Sequence, residues 1–75
     1  MSTSLDLHGV RHAEVSDLMD RFLYIHIVRK TSQVTIITGN SIAMKAKVNE
    51  VLSEYNLSGK EGFWNRGELK VDLLT

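Results

Sequence analysis

The sequence predicts an α/β domain built as a two-layer α/β sandwich, with its elements in the order β-α-β-α-β-β. Two stretches repeat apolar residues every three or four positions, as amphipathic helices do, and each follows a short β-type segment that ends near a glycine. The last segment alternates polar and apolar residues, which is typical of a strand with one face in the core and one in water. We therefore expect a four-stranded mixed sheet with two helices mainly on one face.

The first strand leads into the first helix through a glycine. Leu5-Asp6-Leu7 alternates apolar and polar residues, and His8-Gly9 follows, where glycine permits a sharp change of backbone direction. A helix is predicted from Arg11 to about Ile27. Its regularly spaced apolar residues are Val15, Leu18, Met19, Phe22 and Leu23.

The second strand and the second helix repeat this arrangement. Gln33 to Thr38 is a β-branched run that is too short for a buried helix, and Gly39 closes it. Both of its faces are apolar or small, which favours a central strand. Asn40 or Ser41 can cap a second helix that runs through Tyr55. Its inward stripe is predicted to be Met44, Val48, Val51, Leu52 and Tyr55.

The last quarter of the chain is predicted to be a loop followed by a β-hairpin. Residues 57–62 contain two glycines and are expected to form the loop. Phe63-Trp64 would be the third strand, Asn65-Arg66-Gly67 its turn, and Glu68 to Leu74 the fourth strand. The polar positions of this last strand should leave one face of the sheet in water.

Length and charge limit what the chain can be. Its 75 residues allow one compact domain over residues 1–75, in which residues 1–4 are expected to be a flexible N-terminus. Nine Lys and Arg balance nine Asp and Glu, so any nucleic-acid partner must meet a local patch. We expect a monomer, with weak homo-oligomers as the alternative.

Composition also indicates a compartment. The chain has no cysteine, which excludes disulfides, thiolate nucleophiles and cysteine-based zinc sites and favours a reducing environment. The N-terminus lacks the basic and apolar regions of a secretory signal, and no apolar run reaches membrane-spanning length. A cytoplasmic location without a membrane partner is therefore expected.

The predicted topology brings two polar turns together. Parallel strands joined by a helix place the turn from Asp6 to Gly9 and the turn from Thr38 to Ser41 at one end of the sheet, where ligands bind in open α/β folds. The two-residue period of a strand sends Asp6 and His8 to one side. A carboxylate that orients an imidazole for proton transfer suits the cleavage or binding of a phosphodiester.

The second turn offers a place for the phosphate. Gly39 would let the backbone approach a ligand closely, and the amides at the start of the second helix attract anions. Lys45, one turn into that helix, is a further candidate contact.

These residues resemble the small MutS-related (Smr) domain family, whose marks are an LDxHG motif and a later TGxG-type loop. This chain has Leu5-Asp6-Leu7-His8-Gly9, then Glu14 five residues on, and Thr38-Gly39 at the end of the second strand. The resemblance covers nearly the whole chain, including the order of its elements. It implies a DNA- or RNA-directed endonuclease or binding module.

The resemblance also implies roles for single residues. The matching positions are Asp6 and His8 for cleavage, Gly9 for the turn, and Thr38 and Gly39 for the loop. The second glycine of the family's loop is replaced by Ser41. Its side chain would either narrow the approach to a phosphate or cap the second helix.

Simpler structural roles are open to the same polar residues. Asp6 could cap its turn while His8 bonds the backbone at the strand end. His12 suits a solvated surface position, and His26 suits a partner for the dipole of the first helix. The histidine spacing predicts no protein-held metal or other cofactor, although a magnesium ion could bind loosely between Asp6 and a phosphate.

Aromatic and basic residues outside the turns are further candidates for nucleic-acid contact. Trp64 could stack on an unpaired base with Arg66 on the phosphate, or it could cover a sheet edge. Lys45 and Lys47, with Arg66 and Lys70, could form a modest basic surface, or they could be the ordinary mixed charge of a solvated face.

Three functional hypotheses follow. The first is a nucleic-acid-binding domain with DNA or RNA nicking activity, in which His8 is the acid or base and Asp6 orients it. The Thr38 to Ser41 turn would hold the phosphate. The second is a non-catalytic nucleic-acid-binding or protein-interaction module that retains the fold, which Ser41 favours. The third is assembly with itself or another protein through the exposed sheet face.

Overall fold

The computed structural model describes residues 2–62 and 67–74 of the protein. In these ranges the chain forms strands and helices in the predicted order. The elements are β1 (Ser4–Asp6), α1 (His12–Val28), β2 (Gln33–Ile37), α2 (Ile42–Glu54), β3 (Gly59–Glu61) and β4 (Glu68–Asp72). No helix within these two ranges is long and apolar enough to cross a membrane.

The strands form one mixed sheet in the order β1-β2-β4-β3. β1 and β2 are parallel, with Leu5 opposite Ile36, so α1 is the crossover between them. β2 and β4 are antiparallel, with Val34 opposite Val71. β2 therefore has a neighbour on each side, which confirms the central position predicted from its two apolar faces.

The core lies between the two helices and one face of the sheet. The inward residues of the two central strands are Val34, Ile36, Leu69 and Val71. The helices add to the same cluster Val15, Met19, Leu23, Met44, Val48, Val51 and Leu52. Lys70 and Asp72, which alternate with the inward residues of β4, are exposed. Both helices therefore cover the same face, and the predicted two-layer sandwich is confirmed.

The third strand differs from the prediction. Gly59–Glu61, expected to lie in a loop, form β3 and pair with β4, whereas Phe63-Trp64 and residues 65–66 lie outside the described residues. A Cβ at Gly59 would be 3.2 Å from the Leu69 Cβ, so glycine suits the close approach of this edge strand. A three-residue strand without an apolar side chain has no detectable periodicity, which explains why residues 59–61 were wrongly predicted to be part of a loop.

His26 lies in the last turn of α1, as predicted, but it is buried. It is 2% exposed, whereas the sequence suggested a dipole partner near the end of α1. Its ring is edge-on to Phe22, with centroids 4.6 Å apart, and Nδ1 is 2.9 Å from Thr31 Oγ1. Nε2 is 3.0 Å from the Ser2 carbonyl oxygen, and because a carbonyl only accepts, Nε2 is the donor. Burial by tertiary contacts therefore gives His26 a structural role.

Residues 2–4, which we expected to be flexible, make specific contacts. Ser4 begins β1 opposite Thr35, and the Thr35 amide donates to the Thr3 carbonyl over 2.9 Å. The Ser2 carbonyl accepts the hydrogen bond from His26. This segment is therefore joined both to β2 and to α1.

A hydrogen bond joins the C-terminal end of α2 to α1. The Tyr55 hydroxyl donates to the Asp20 carboxylate. This bond, together with partial burial and the negative charge of Asp20, raises the pKa of Tyr55 to about 12. The cause is that the bond stabilises the protonated phenol, so the proton is lost only at higher pH.

We expect a Tyr55→Phe variant to be less stable than the wild type at neutral pH by less than about 1 kcal/mol, because solvent screens this exposed pair. Tyr55 ionises near pH 10 in the unfolded chain and near pH 12 in the folded one. The stabilisation is therefore complete below about pH 10 and is lost as the pH rises towards 12. Urea unfolding across this range would show the difference between the two proteins shrinking.

Tyr24→Phe is the matched control, because Tyr24 is exposed on the outer side of α1. We expect the stability of this variant to follow that of the wild type as the pH rises. If the difference in free energy of unfolding between the wild type and Tyr55→Phe stayed constant above about pH 10, this would contradict the role assigned to the bond with Asp20.

Candidate functional site

The candidate site lies where β1 and β2 end. Because these strands are parallel and Asp6 lies opposite Ile37, the segments that follow them leave the sheet at the same end. The Leu7 amide donates to the Ile37 carbonyl over 2.8 Å, which continues the pairing one step beyond β1. We call these two segments, residues 6–9 and 38–42, the rim.

The first segment of the rim is a tight turn. The Val10 amide donates to the Leu7 carbonyl over 3.0 Å, and Gly9 has a φ of +80°. A positive φ at the third position of a four-residue turn favours glycine. One Asp6 carboxylate oxygen accepts the backbone amide of His8 over 2.9 Å. The carboxylate therefore holds the main chain that carries His8, which is the turn-capping role considered above.

The His8 imidazole lies against the second segment of the rim. A Cβ at Gly39 would be 3.1 Å from His8 Cδ2, so the missing side chain makes room for the ring. Gly39 also has a φ of +66°, which other residues rarely adopt. The ring of His8 is exposed and has no hydrogen-bond partner among residues 2–62 and 67–74. The structure thus brings the LDLHG turn and the glycine bend together.

Thr38 and Ser41 both support the rim. Thr38 is buried, with its Oγ1 2.9 Å from the Gly39 carbonyl oxygen, and its amide donates to the Gly67 carbonyl over 2.8 Å. Ser41 is the N-cap of α2, and its Oγ accepts the Met44 amide over 3.1 Å. Of the two roles considered for Ser41, the structure has the capping one. Asn40 lies between these residues and is exposed.

The predicted lysines already have acidic neighbours. Lys45 Nζ lies 2.7 Å from a Glu61 carboxylate oxygen, and its side chain is only 16% exposed, so an anion at the rim would compete with Glu61. Lys47 has a carboxylate partner on α2. Lys70 lies on the uncovered sheet face, 3.6 Å from Glu68. Because Lys70 and the α2 lysines are on different layers, they do not form one surface.

The remaining predictions for the site concern contacts of Trp64 and Arg66 with nucleic acid and the binding of a metal ion. Trp64 and Arg66 lie outside the described residues, so their contacts to a base and a phosphate stay predictions. In the described part of the chain, no three His, Asp or Glu side chains come together to hold a metal ion. Asp6 is the carboxylate of the rim, so a magnesium ion there would depend on Asp6 and on oxygens of the ligand.

The rim contains one residue that the sequence analysis did not consider. Ile42 is the first residue of α2 and is 82% exposed. The residues of α2 that face the core are Met44, Val48, Val51 and Leu52. The helical repeat places Ile42 on a different face of α2 from these core residues. An apolar residue outside the core-facing stripe is the feature by which the sequence could have identified it.

A family model described as Smr domain matches residues 5–65 of the chain. The match includes the first segment of the rim, the second segment and both helices. No curated protein matches the chain.

Solved structures share the fold over nearly the whole chain. The crystal structure of the Smr domain of Thermus thermophilus MutS2 has a TM-score of 0.82 and 20% identity, and the match covers 96% of this chain and 98% of that one. The solution structure of the B3BP Smr domain has a TM-score of 0.81 and 25% identity, with 96% and 78% covered. The solution structure of the SMR domain of NEDD4-binding protein 2 has a TM-score of 0.75 and 23% identity, with 100% and 88% covered.

Proposed function

This chain belongs to the Smr domain family, and on that premise we propose that it binds nucleic acid at the rim and nicks DNA or RNA there. The observation that carries the proposal is the exposed His8 ring, seated against Gly39 at the start of the bend into α2. The ring has no hydrogen-bond partner among residues 2–62 and 67–74, so its nitrogens are available to donate a proton to a ligand or accept one from it.

A phosphate would lie between His8 and the start of α2. The first turn of a helix has unpaired amides and a partial positive charge, and both favour an anion. The exposed side chain of Asn40 adds a hydrogen-bond donor. Binding of this kind needs no dense positive surface, which agrees with the zero net charge of the chain.

In the cleavage step, His8 would take a proton from the attacking oxygen or give one to the leaving oxygen. Asp6 supports this step by holding the backbone amide of His8, which limits the positions of the ring. A contact between Asp6 and the ring itself stays a prediction. A magnesium ion, if used, would bind between Asp6 and the phosphate oxygens.

A non-catalytic binding module is the second candidate, and two hydrogen bonds favour it. Asp6 accepts from the main chain of His8, and the Ser41 hydroxyl accepts from the first turn of α2, so both side chains serve the fold. The same rim would then bind a phosphate without cleaving it. Activity measurements on His8 variants separate the two candidates.

We expect an Asn40→Asp variant to bind a short structured RNA or DNA less tightly by about 1 kcal/mol, or roughly fivefold, because the new charge lies beside the phosphate. A carboxylate just before α2 is compatible with the helix, so folding should not suffer. Fluorescence anisotropy at about 0.1 M salt would measure Kd. A second series at higher salt should show weaker binding for every variant.

Asn56→Asp is the matched control, because Asn56 is exposed beyond the far end of α2 and the net charge changes by the same amount. The two positions are separated by roughly 20 Å of helix, about twice the Debye length at this salt concentration. Its Kd should stay within about twofold of the wild type. Equal losses in both variants would argue against binding at the rim, and a wild type that binds neither nucleic acid would overturn the proposed function.

A further inference from the structure

We propose that Ile42 contacts an unstacked base, so that the preferred target of the rim is nucleic acid with at least one unpaired or extruded nucleotide. This inference rests on the proposed function and names the class of substrate for the same site. It assigns a specificity-determining contact to a residue that has no place in the core.

The exposure of Ile42 sets it apart from the other apolar side chains. The described part of the chain has four further exposed large apolar residues, which are Tyr24, Ile27, Val28 and Leu74. These four lie at the end of the molecule away from the rim, because α1 and β4 both run from the rim towards that end. Ile42, by contrast, begins α2 three residues after Gly39, which contacts the His8 ring. Among the described residues, Ile42 is therefore the only large apolar side chain that is exposed at the rim end.

Helix geometry directs the Ile42 side chain towards the N-terminal end of α2, which is the rim end. Side chains of a helix tilt towards its N-terminus, so a residue in the first turn extends beyond the start of the helix. Ser41, the N-cap, fixes where α2 begins and therefore where Ile42 stands. Neither packing nor helix propensity explains an isoleucine here, because it is exposed and its β-branch lowers helix propensity.

The class of ligand follows from the position of Ile42 near the proposed phosphate site. An intact duplex presents phosphates, sugars and base edges, while the apolar faces of its bases are hidden in the stack. An exposed isoleucine next to a phosphate site would gain little from that surface. An unstacked nucleotide offers both an anionic phosphate and an apolar base face, and aliphatic side chains are known to insert between base steps that they partly unstack.

The test compares two oligonucleotides of equal length, a continuous duplex and the same duplex carrying a short unpaired bulge, each as DNA and as RNA. We expect the wild type to bind the bulged form more tightly. An Ile42→Ser variant should bind the bulged form roughly 5- to 10-fold more weakly, the lower end of the range for loss of one base contact, and the continuous duplex within about twofold. Thermal unfolding should be unchanged, since Ile42 is outside the core.

Val28→Ser is the matched control, because Val28 is also a β-branched residue and is 61% exposed at the opposite end of the molecule. It should bind both oligonucleotides as the wild type does. The inference would be overturned if, with DNA and with RNA alike, Ile42→Ser lost the same affinity for the bulged and the continuous duplex, or lost none for either. The proposed function would still stand. A wild type that binds no oligonucleotide would overturn both.

Discussion

A His8→Ala variant is expected to nick DNA or RNA about 10²- to 10⁴-fold more slowly than the wild type, which is the usual effect of removing a general acid or base. The affinity for the nucleic acid should change far less, because the start of α2 would still hold the phosphate. The measurement is single-turnover conversion of supercoiled DNA, with cleavage of a structured RNA beside it. Both reactions are followed with and without magnesium.

His12→Ala is the control for this prediction. His12 is exposed at the start of α1, so the substitution removes a second imidazole close in sequence to the turn without touching the His8 ring. An Asp6→Ala variant, which releases the backbone amide of His8, should also be slower than the wild type. Equal cutting by the wild type, His8→Ala and Asp6→Ala would indicate a contaminant. Binding without cutting by the wild type would favour the non-catalytic module.

A His26→Ala variant is expected to lose about 2–4 kcal/mol of its free energy of unfolding. The substitution leaves a cavity beside Phe22 and removes the partners of the Ser2 carbonyl and the Thr31 hydroxyl. A domain of this size has only a few kcal/mol in total, so much of the protein would be unfolded at body temperature. Urea unfolding followed by circular dichroism measures the loss.

Two further variants show whether the contacts of His26 are the cause. His12→Ala, at an exposed position, should stay within about 0.5 kcal/mol of the wild type. Thr31→Ala removes only one of the two hydrogen bonds of the ring and should cost about 1 kcal/mol. If His26→Ala were as stable as His12→Ala, the structural role assigned to His26 would be wrong.

The helices and the central strands could be predicted because their signals are local. Val15, Met19 and Leu23 are buried at the spacing that predicted α1. Leu69 and Val71 are buried between exposed neighbours, as the alternation in β4 predicted. The order of elements then limited the possible topologies, and the predicted fold and family are confirmed.

The third strand and the buried histidine could not be predicted for a common reason. Gly59–Glu61 become a strand because β4 offers an edge and because Gly59 fits against Leu69. His26 is buried because the N-terminal segment and the turn after α1 both supply partners. In each case a pairing between separate segments is needed, β3 with β4 and His26 with Ser2, and local propensity does not register such pairings.

The sequence by itself determined the class of fold, the family and the meeting of two turns at one end of the sheet, because side-chain periods and motif spacing are properties of neighbouring residues. Only the tertiary structure decided that Asp6 holds the main chain of His8, that Ser41 caps α2 and that Ile42 stands exposed at the rim. The physical reason is that the residue types left two roles open for Asp6 and for Ser41, and the choice between them, like the exposure of Ile42, depends on the folded backbone and its packing, which a pattern of residue types does not specify.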